Sequence, residues 1–453
     1  MRLGCATTVI TPPPGTPLAG FDARKKGARG VHDDLCARAL VLEDAGQRIA
    51  LVVCDLCDLD AGFVREARRR IQKRTGIPAA SAVLAATHTH AAPATFALYS
   101  LPPDPGWLDD LADRVADAVA SAVRDLTPAT LALALGSENS VGRNRRRHDG
   151  LVDPTVTVLR AERTGVPPAF LLHYACHPTV LGPDNLMISR DYVGFAVDAV
   201  EHGTGGWVMF ANGACGDINV GHSADRSALG LPIPGRTFER AEELGLRLAG
   251  EAARALTDAR PVAGRRTPDH GMLAAGRRSL LVPLRPTPPL EQARAQVLAC
   301  RRRLEALEAA GAGEETVTSA RLELLYAELA LSWVEQRAGA GGARAAGAGA
   351  EEETTEVAAF AVGEVALIGL PGEFFAESGL RLQNRSPFKH TIVIGYANGG
   401  IGYVPPVSAF AEGGYETRLA PWSRVAPEAE GLILDAAENL LDDLWDRQDE
   451  RPG

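Results

Sequence analysis

The feature that most constrains this chain is an alternation, over its first two thirds, of short apolar runs with stretches of helical periodicity. The runs at 39–42, 49–54, 82–86, 131–135, 155–159, 169–175 and 207–211 are each bounded by turn formers or charge, the pattern of buried strands. Between them, 62–75, 107–125, 190–203 and 238–259 read as helices, and Gly76-Ile77-Pro78 stops the first. Such alternation predicts an α/β architecture around a large, mixed central sheet.

From Pro286 the texture changes. Segments 290–310 and 316–336 carry apolar residues at three- and four-residue spacing on either side of Gly311-Ala312-Gly313, which predicts a helical hairpin. Residues 339–350 form a Gly/Ala-rich linker. Strands resume at 355–362, 364–369 and 391–394, and 427–446 is an amphipathic helix by pattern. The expectation is one α/β domain over 1–453, with the hairpin and linker of 286–350 inserted into it and no internal repeat.

Composition removes several classes of function. The formal net charge of −10 opposes nucleic-acid binding, and four lysines among 47 basic residues leave arginine to carry the positive charge. No run of eighteen apolar residues exists, so no membrane-spanning helix is expected. The N-terminus lacks a basic segment leading into an apolar one, so no signal peptide is expected. Seven scattered cysteines suit reduced thiols and a cytoplasmic location. Cys54 and Cys57 form a C-x-x-C, but the second pair of a zinc ribbon is missing, and buried free thiols are the simpler reading.

Several runs end in residues able to coordinate a metal or move a proton: Asp55; His88 and His90; His177, with His173 inside the run; Asn212 and Asp217; Glu373. Ligands of α/β sheets collect beyond the carboxyl ends of strands, so these groups could share one cleft. In an extended chain His88 and His90 would face the same side. Half-buried structural histidines are the bland alternative. Two or three imidazoles with a carboxylate suit zinc or a similar divalent ion that keeps a position open for water. No H-E-x-x-H, G-x-S-x-G, Walker A or dinucleotide fingerprint appears in context. The basic run Arg143–Arg147 is either a solvated loop or an anion contact.

On these residues the chain resembles the neutral/alkaline non-lysosomal ceramidases. The likeness is carried by Ile10-Thr11-Pro12, Thr87-His88-Thr89-His90-Ala91-Ala92-Pro93, Tyr174-Ala175-Cys176-His177-Pro178, Leu370-Pro371-Gly372-Glu373-Phe374 and Gly402-Tyr403-Val404. The resemblance implies the family's catalytic α/β domain and a zinc ion held by His88, His177, Glu373 and Tyr403. It implies His90 beside the metal-bound water, with Arg145 and Tyr415 in the site. The family's G-D-V-S-P-N segment corresponds to Gly216–Gly221, where Asn219 stands in the serine position as a candidate substrate contact. The family's C-terminal immunoglobulin-like domain is not expected here.

The resulting expectation is a zinc-dependent hydrolase of an amide (N-acyl) bond, acting by metal-activated water, whose partner is a small-molecule N-acyl substrate. Arg145 and Tyr415 would stabilise the oxyanion, His90 would shuttle protons, and Asp55 or Asp217 would orient a ligand imidazole. An ester or lactone substrate, amide formation in a biosynthetic pathway, a non-catalytic zinc-stabilised binding protein, and assembly into a homo-oligomer stay open.

Overall fold

The computed structural model describes residues 1–96, 103–264, 271–339 and 351–447. Eight strands make the backbone of the larger sheet: β1 (Arg2–Val9), β2 (Cys36–Asp44), β3 (Gln47–Cys54), β4 (Ala82–Ala86), β5 (Thr127–Ser137), β6 (Thr155–Arg163), β7 (Ala169–Tyr174) and β8 (Trp207–Asn212). Their spatial order is β8-β7-β6-β5-β1-β2-β3-β4, with Arg260–Pro261 added alongside β5. Neighbours are antiparallel except β3/β4 and β7/β8. At those two margins α1 (Ala61–Thr75) and α3 (Asp191–Thr204) provide the crossovers that parallel neighbours require. The mixed sheet expected from the alternation of runs is therefore present.

Among the described residues, the two four-stranded halves pair strand to strand only where Arg2 and Leu3 meet Pro128 and Thr127. The carboxyl ends of β4, β7 and β8 nevertheless meet. Asn212 marks the place: its side-chain amide donates to Thr87 O (3.1 Å) and Cys176 O (3.2 Å), and its Oδ1 accepts from Cys176 N (3.2 Å).

A second sheet holds β9 (Leu273–Pro283), β10 (Glu352–Val362), β11 (Val365–Gly369) and β12 (His390–Ile394) in that order, the last pair parallel around α7 (Ala376–Arg385). It packs on the first through Leu3, Leu40, Leu51, Phe360, Leu367 and Ile392. Alternate residues of β2 face opposite cores, Ala37, Ala39 and Val41 one way, Leu40 and Leu42 the other. Strands covered on both faces read as unbroken apolar runs, which is why they were legible in sequence. Helices α1, α2 (Pro105–Arg124), α3 and α4 (Phe238–Leu256) cover the outer face of the large sheet. Helix α8 (Ala429–Arg447) covers the outer face of the small one through Ile433, Leu440 and Leu444.

The expected hairpin is present as α5 (Leu290–Ala309) and α6 (Glu314–Gly339). The rest of the Gly/Ala-rich segment, 340–350, lies outside the described residues. Leu325, Tyr326 and Leu329 of α6 pack with Tyr403, Tyr415, Ala420 and Trp422. Strands β1 and β9 and helix α7 were not anticipated. The middle of β9 alternates half-buried and exposed residues, and α7 is only ten residues long, so neither offers a long periodic signal. Among the described residues no helix is long and apolar enough to cross a membrane.

Candidate metal centre

His88 and His90 follow β4, His177 follows β7, and Glu373 and Tyr403 lie on two short paired strands, where they are direct register partners. Asn212 sets the approach of the first two loops, since the carbonyls it binds belong to the residues before His88 and His177. The chain through His88 is not extended as expected. His88 adopts φ 67°, a left-handed conformation unusual outside glycine. The turn is held by His88 N–H donating to Leu56 O (2.9 Å), and strain of this kind is characteristic of functional sites.

The ligand atoms converge. His177 Nε2 lies 3.0 Å and His88 Nε2 3.5 Å from Glu373 Oε2, and the three ligand atoms lie within 4.8 Å of one another. A tetrahedral ion with bonds near 2.1 Å has ligand–ligand edges of about 3.4 Å, so the spacing fits a cation such as zinc. The tautomers fit as well. His88 Nδ1 donates to Cys57 O (2.6 Å), and His177 Nδ1 to Cys215 O (2.8 Å) and Ile218 O (3.0 Å), which turns both Nε2 atoms toward Glu373, open to a cation once His88 Nε2 is deprotonated. These orienting groups are backbone carbonyls, which corrects the expectation of Asp55 or Asp217. Asp55 instead accepts from Cys36 N (3.0 Å), and Asp217 from Ala376 N (2.9 Å) and Asn144 Nδ2 (2.8 Å). A carbonyl on a neighbouring loop reaches the ring without bringing another buried charge.

Protonation follows burial and charge. Burial lowers His177 to about 4, helped by the Arg145 charge, so its ring is neutral and ready to ligate. Burial opposes charge on Glu373, but His88 and His177 outweigh it and hold the carboxyl well below the usual range. In His88 burial is outweighed by Glu373 and Cys57, and its pKa rises. Without a cation, the Glu373 charge is thus answered by a proton on His88.

His90 Nε2 sits 3.0 Å from His88 Nε2. Burial and the neighbouring His88 and His177 hold its pKa well below the ordinary value. Among the described residues its buried Nδ1 meets no hydrogen-bond partner, and it lies above Gly20, where a Cβ would come within 2.4 Å. Tyr403 accepts at its hydroxyl from Arg145 (2.9 Å), which also donates to Glu416 Oε1 (2.7 Å) and Gly216 O (2.7 Å). Arg145 and Glu416 side chains are only 5% and 2% exposed, so this stretch of the basic run is internal. Arg146 also binds Glu416 (2.7 Å), whereas Arg147 is exposed. Tyr415 stands edge-on to Tyr403, ring centroids 5.9 Å apart.

A cavity of about 30 Å³ opens over the centre, touching His88, His90, Glu373, Tyr403 and Tyr415, with Phe96 and Trp422 as aromatic walls. Asn219 is not in that lining. Its amide donates to His222 O (2.7 Å) and its Oδ1 accepts from Gly221 N and His222 N, so the side chain is committed to its own turn. His173, inside β7, bonds Val393 O (2.8 Å) far from the cluster. Sequence reasoning missed Glu416, beside Tyr415, and Asp58, three residues past the expected strand-end Asp55. Asp58 lines the cavity, and burial raises its carboxyl to about 7 against the pull of His88.

Fold and site together define an α/β protein with a buried His–His–Glu centre able to hold a divalent metal. The sequence profile described as neutral/alkaline non-lysosomal ceramidase, N-terminal, matches residues 1–208, and the resemblance read from the motifs is borne out. The chain is 26% identical over 280 residues to neutral ceramidase of Mycobacterium tuberculosis, covering 54% of this chain and 44% of that protein. Against neutral ceramidase of Drosophila melanogaster it is 28% identical over 227 residues, 44% of this chain and 32% of that one. These matches thus span less than half of the relatives' length. The crystal structure of neutral ceramidase from Pseudomonas aeruginosa shares the fold at TM-score 0.72 and 20% identity, covering 98% of this chain and 74% of that one.

Proposed function

We propose that this protein is a zinc-dependent hydrolase of N-acyl bonds, with His88, His177, Glu373 and Tyr403 holding the ion. The observation that carries the reading is the convergence of two Nε2 lone pairs and one carboxylate oxygen, each imidazole fixed from behind by a backbone carbonyl. When bound, the ion supplies a Lewis acid that polarises the acyl carbonyl and acidifies water.

The chain's own groups supply the rest. His90 presents Nε2 to the centre, 3.0 Å from His88 Nε2, placed to take a proton from water there and return it to the departing nitrogen. Tyr415, on the cavity wall, donates to the carbonyl oxygen as charge develops. Arg145 acts through Tyr403: its donation to the phenol oxygen favours the ionised form that a cation binds best. The Glu416 carboxylate fixes that guanidinium in place. The aromatic walls exclude bulk water.

Purified without chelator, the protein is expected to carry close to one equivalent of zinc and to lose it in the His88→Ala variant. A panel of N-acyl amides, ceramide included, should contain at least one substrate that wild type cleaves and His88→Ala does not. His90→Ala should keep its metal and lose about 10²- to 10⁴-fold in turnover. Metal well below half an equivalent, or cleavage surviving in His88→Ala, would remove the proposal.

A further inference from the structure

Charges around the cavity balance in pairs, with one exception. Arg145 answers Glu416, and Glu373 answers the cation position. Arg424, on the cavity wall, spends Nε and one terminal nitrogen on Glu353 (2.7 and 2.6 Å) and the other on Pro421 O (2.7 Å). Asp58 remains. It is 7% exposed, its Oδ1 accepts from its neighbour Leu59 N–H (2.8 Å), and among the described residues no donor meets Oδ2. Gly400 makes room for that oxygen: a Cβ there would lie 2.0 Å from it. Phe96, Tyr403, Tyr415 and Trp422 line the same small space. A buried carboxyl with an open oxygen among aromatic faces gains most from a cation, which offsets the cost of ionising it there and meets the aromatic faces as well.

We propose that Asp58 makes the cavity selective for substrates bearing a primary or secondary ammonium within a bond or two of the scissile carbonyl, that is, amides of the aminoacyl type. The small volume, about 30 Å³, admits such a compact group. The remainder of the molecule would leave past Phe96, Gly400, Pro421 and Arg424. These four also border a groove of about 930 Å³ whose lining includes Arg65, Arg68, Glu353 and Glu356. The chemistry rests on the hydrolase reading, whereas the binding preference can be measured without it.

The test uses three amides of nearly equal shape, alaninamide, lactamide and isobutyramide, titrated calorimetrically into zinc-loaded protein at neutral pH. Wild type should bind alaninamide about 10- to 100-fold more tightly than isobutyramide, the range of one charged hydrogen bond, with lactamide close to isobutyramide. Asp58→Asn should erase the gap, with wild-type zinc content and circular dichroism showing that the variant folds. Asp58→Ser provides a second removal of the charge, and the wild-type series decides if neither variant folds. Equal binding of alaninamide and isobutyramide by wild type, tighter binding of lactamide than alaninamide, or a gap surviving in Asp58→Asn would each overturn the proposal. Ammonium preference without cleavage of any amide would sink the hydrolase reading and leave Asp58 standing. Cleavage without preference would do the reverse.

Discussion

Glu416 shows how one side chain ties the site to stability. It is buried and bound by two guanidiniums, those of Arg145 and Arg146. Burial alone would raise its pKa, but the two arginines reverse the sign and hold it low. A carboxyl whose folded pKa is depressed contributes stability above its unfolded value, about 4.3, and loses that contribution as pH falls through the folded value. Glu416→Gln should therefore cost about 3–5 kcal/mol at pH 7, by stranding buried cations, and flatten the acid limb of a stability-versus-pH curve. Denaturant unfolding from pH 7 to 3 checks both. Asn212 acts differently, because it touches neither cation nor substrate. Replacing it with alanine leaves the Thr87 and Cys176 carbonyls short of a donor, at about 1–3 kcal/mol. It also frees the two histidine loops, so zinc affinity should fall about 10- to 100-fold in competitive chelation. A merely structural role would lower the melting temperature and spare the affinity.

Among the elements, the α5–α6 hairpin has the thinnest attachment for its length. Only Ala293, Val297 and Cys300 of α5 are buried, and much of its outer face carries ion pairs such as Arg301–Glu328 and Arg321–Glu308. Exposed pairs of this kind add little stability. Leu325, Tyr326 and Leu329 of α6 anchor the insertion against Tyr403, Tyr415 and Trp422, the back of the cavity wall, and Trp333 packs on the core of the small sheet. Leu329→Ala should cost about 2–5 kcal/mol and, by loosening Trp422 and Tyr415, raise KM more than it lowers kcat. Steady-state kinetics on any amide found to be cleaved would show the split, and equal losses in both would place the effect elsewhere. The hairpin's apolar spacing made its helices legible in sequence. Its partner surface was not, because 403–422 comes nearly eighty residues later and has no periodic pattern of its own.

At the scale of the molecule, the centre joins loops from both sheets, so ligation and folding are linked. His88 carries a proton opposite Glu373 in the metal-free protein and must release it to bind a cation. Zinc affinity should then rise with pH through the titration of His88, with protons released on binding, as calorimetry in buffers of different ionisation enthalpy would detect. Stripping the metal should lower the melting temperature, and added zinc should restore it. Affinity independent of pH between 6 and 8 would contradict the linkage.

The sequence by itself determined the layers, and its resemblance to the family supplied the candidate ligands. Short apolar runs bounded by turn formers read as strands covered on both sides, and the resemblance carried by their motifs named His88, His177, Glu373 and Tyr403 as candidate ligands. Boundaries came within a few residues for β3, β4, β8 and α1 for the same reason. Tertiary structure alone decided who supports those ligands. The carbonyls of Cys57, Cys215 and Ile218 replace the expected carboxylates, Asn219 turns inward on its own loop, and Asp58 and Glu416 become the charges that matter. A backbone carbonyl has no sequence signature, and a carboxylate acquires its role only from the charges packed against it. Both are set only when the ends of β4, β7 and β8 come together in the folded chain.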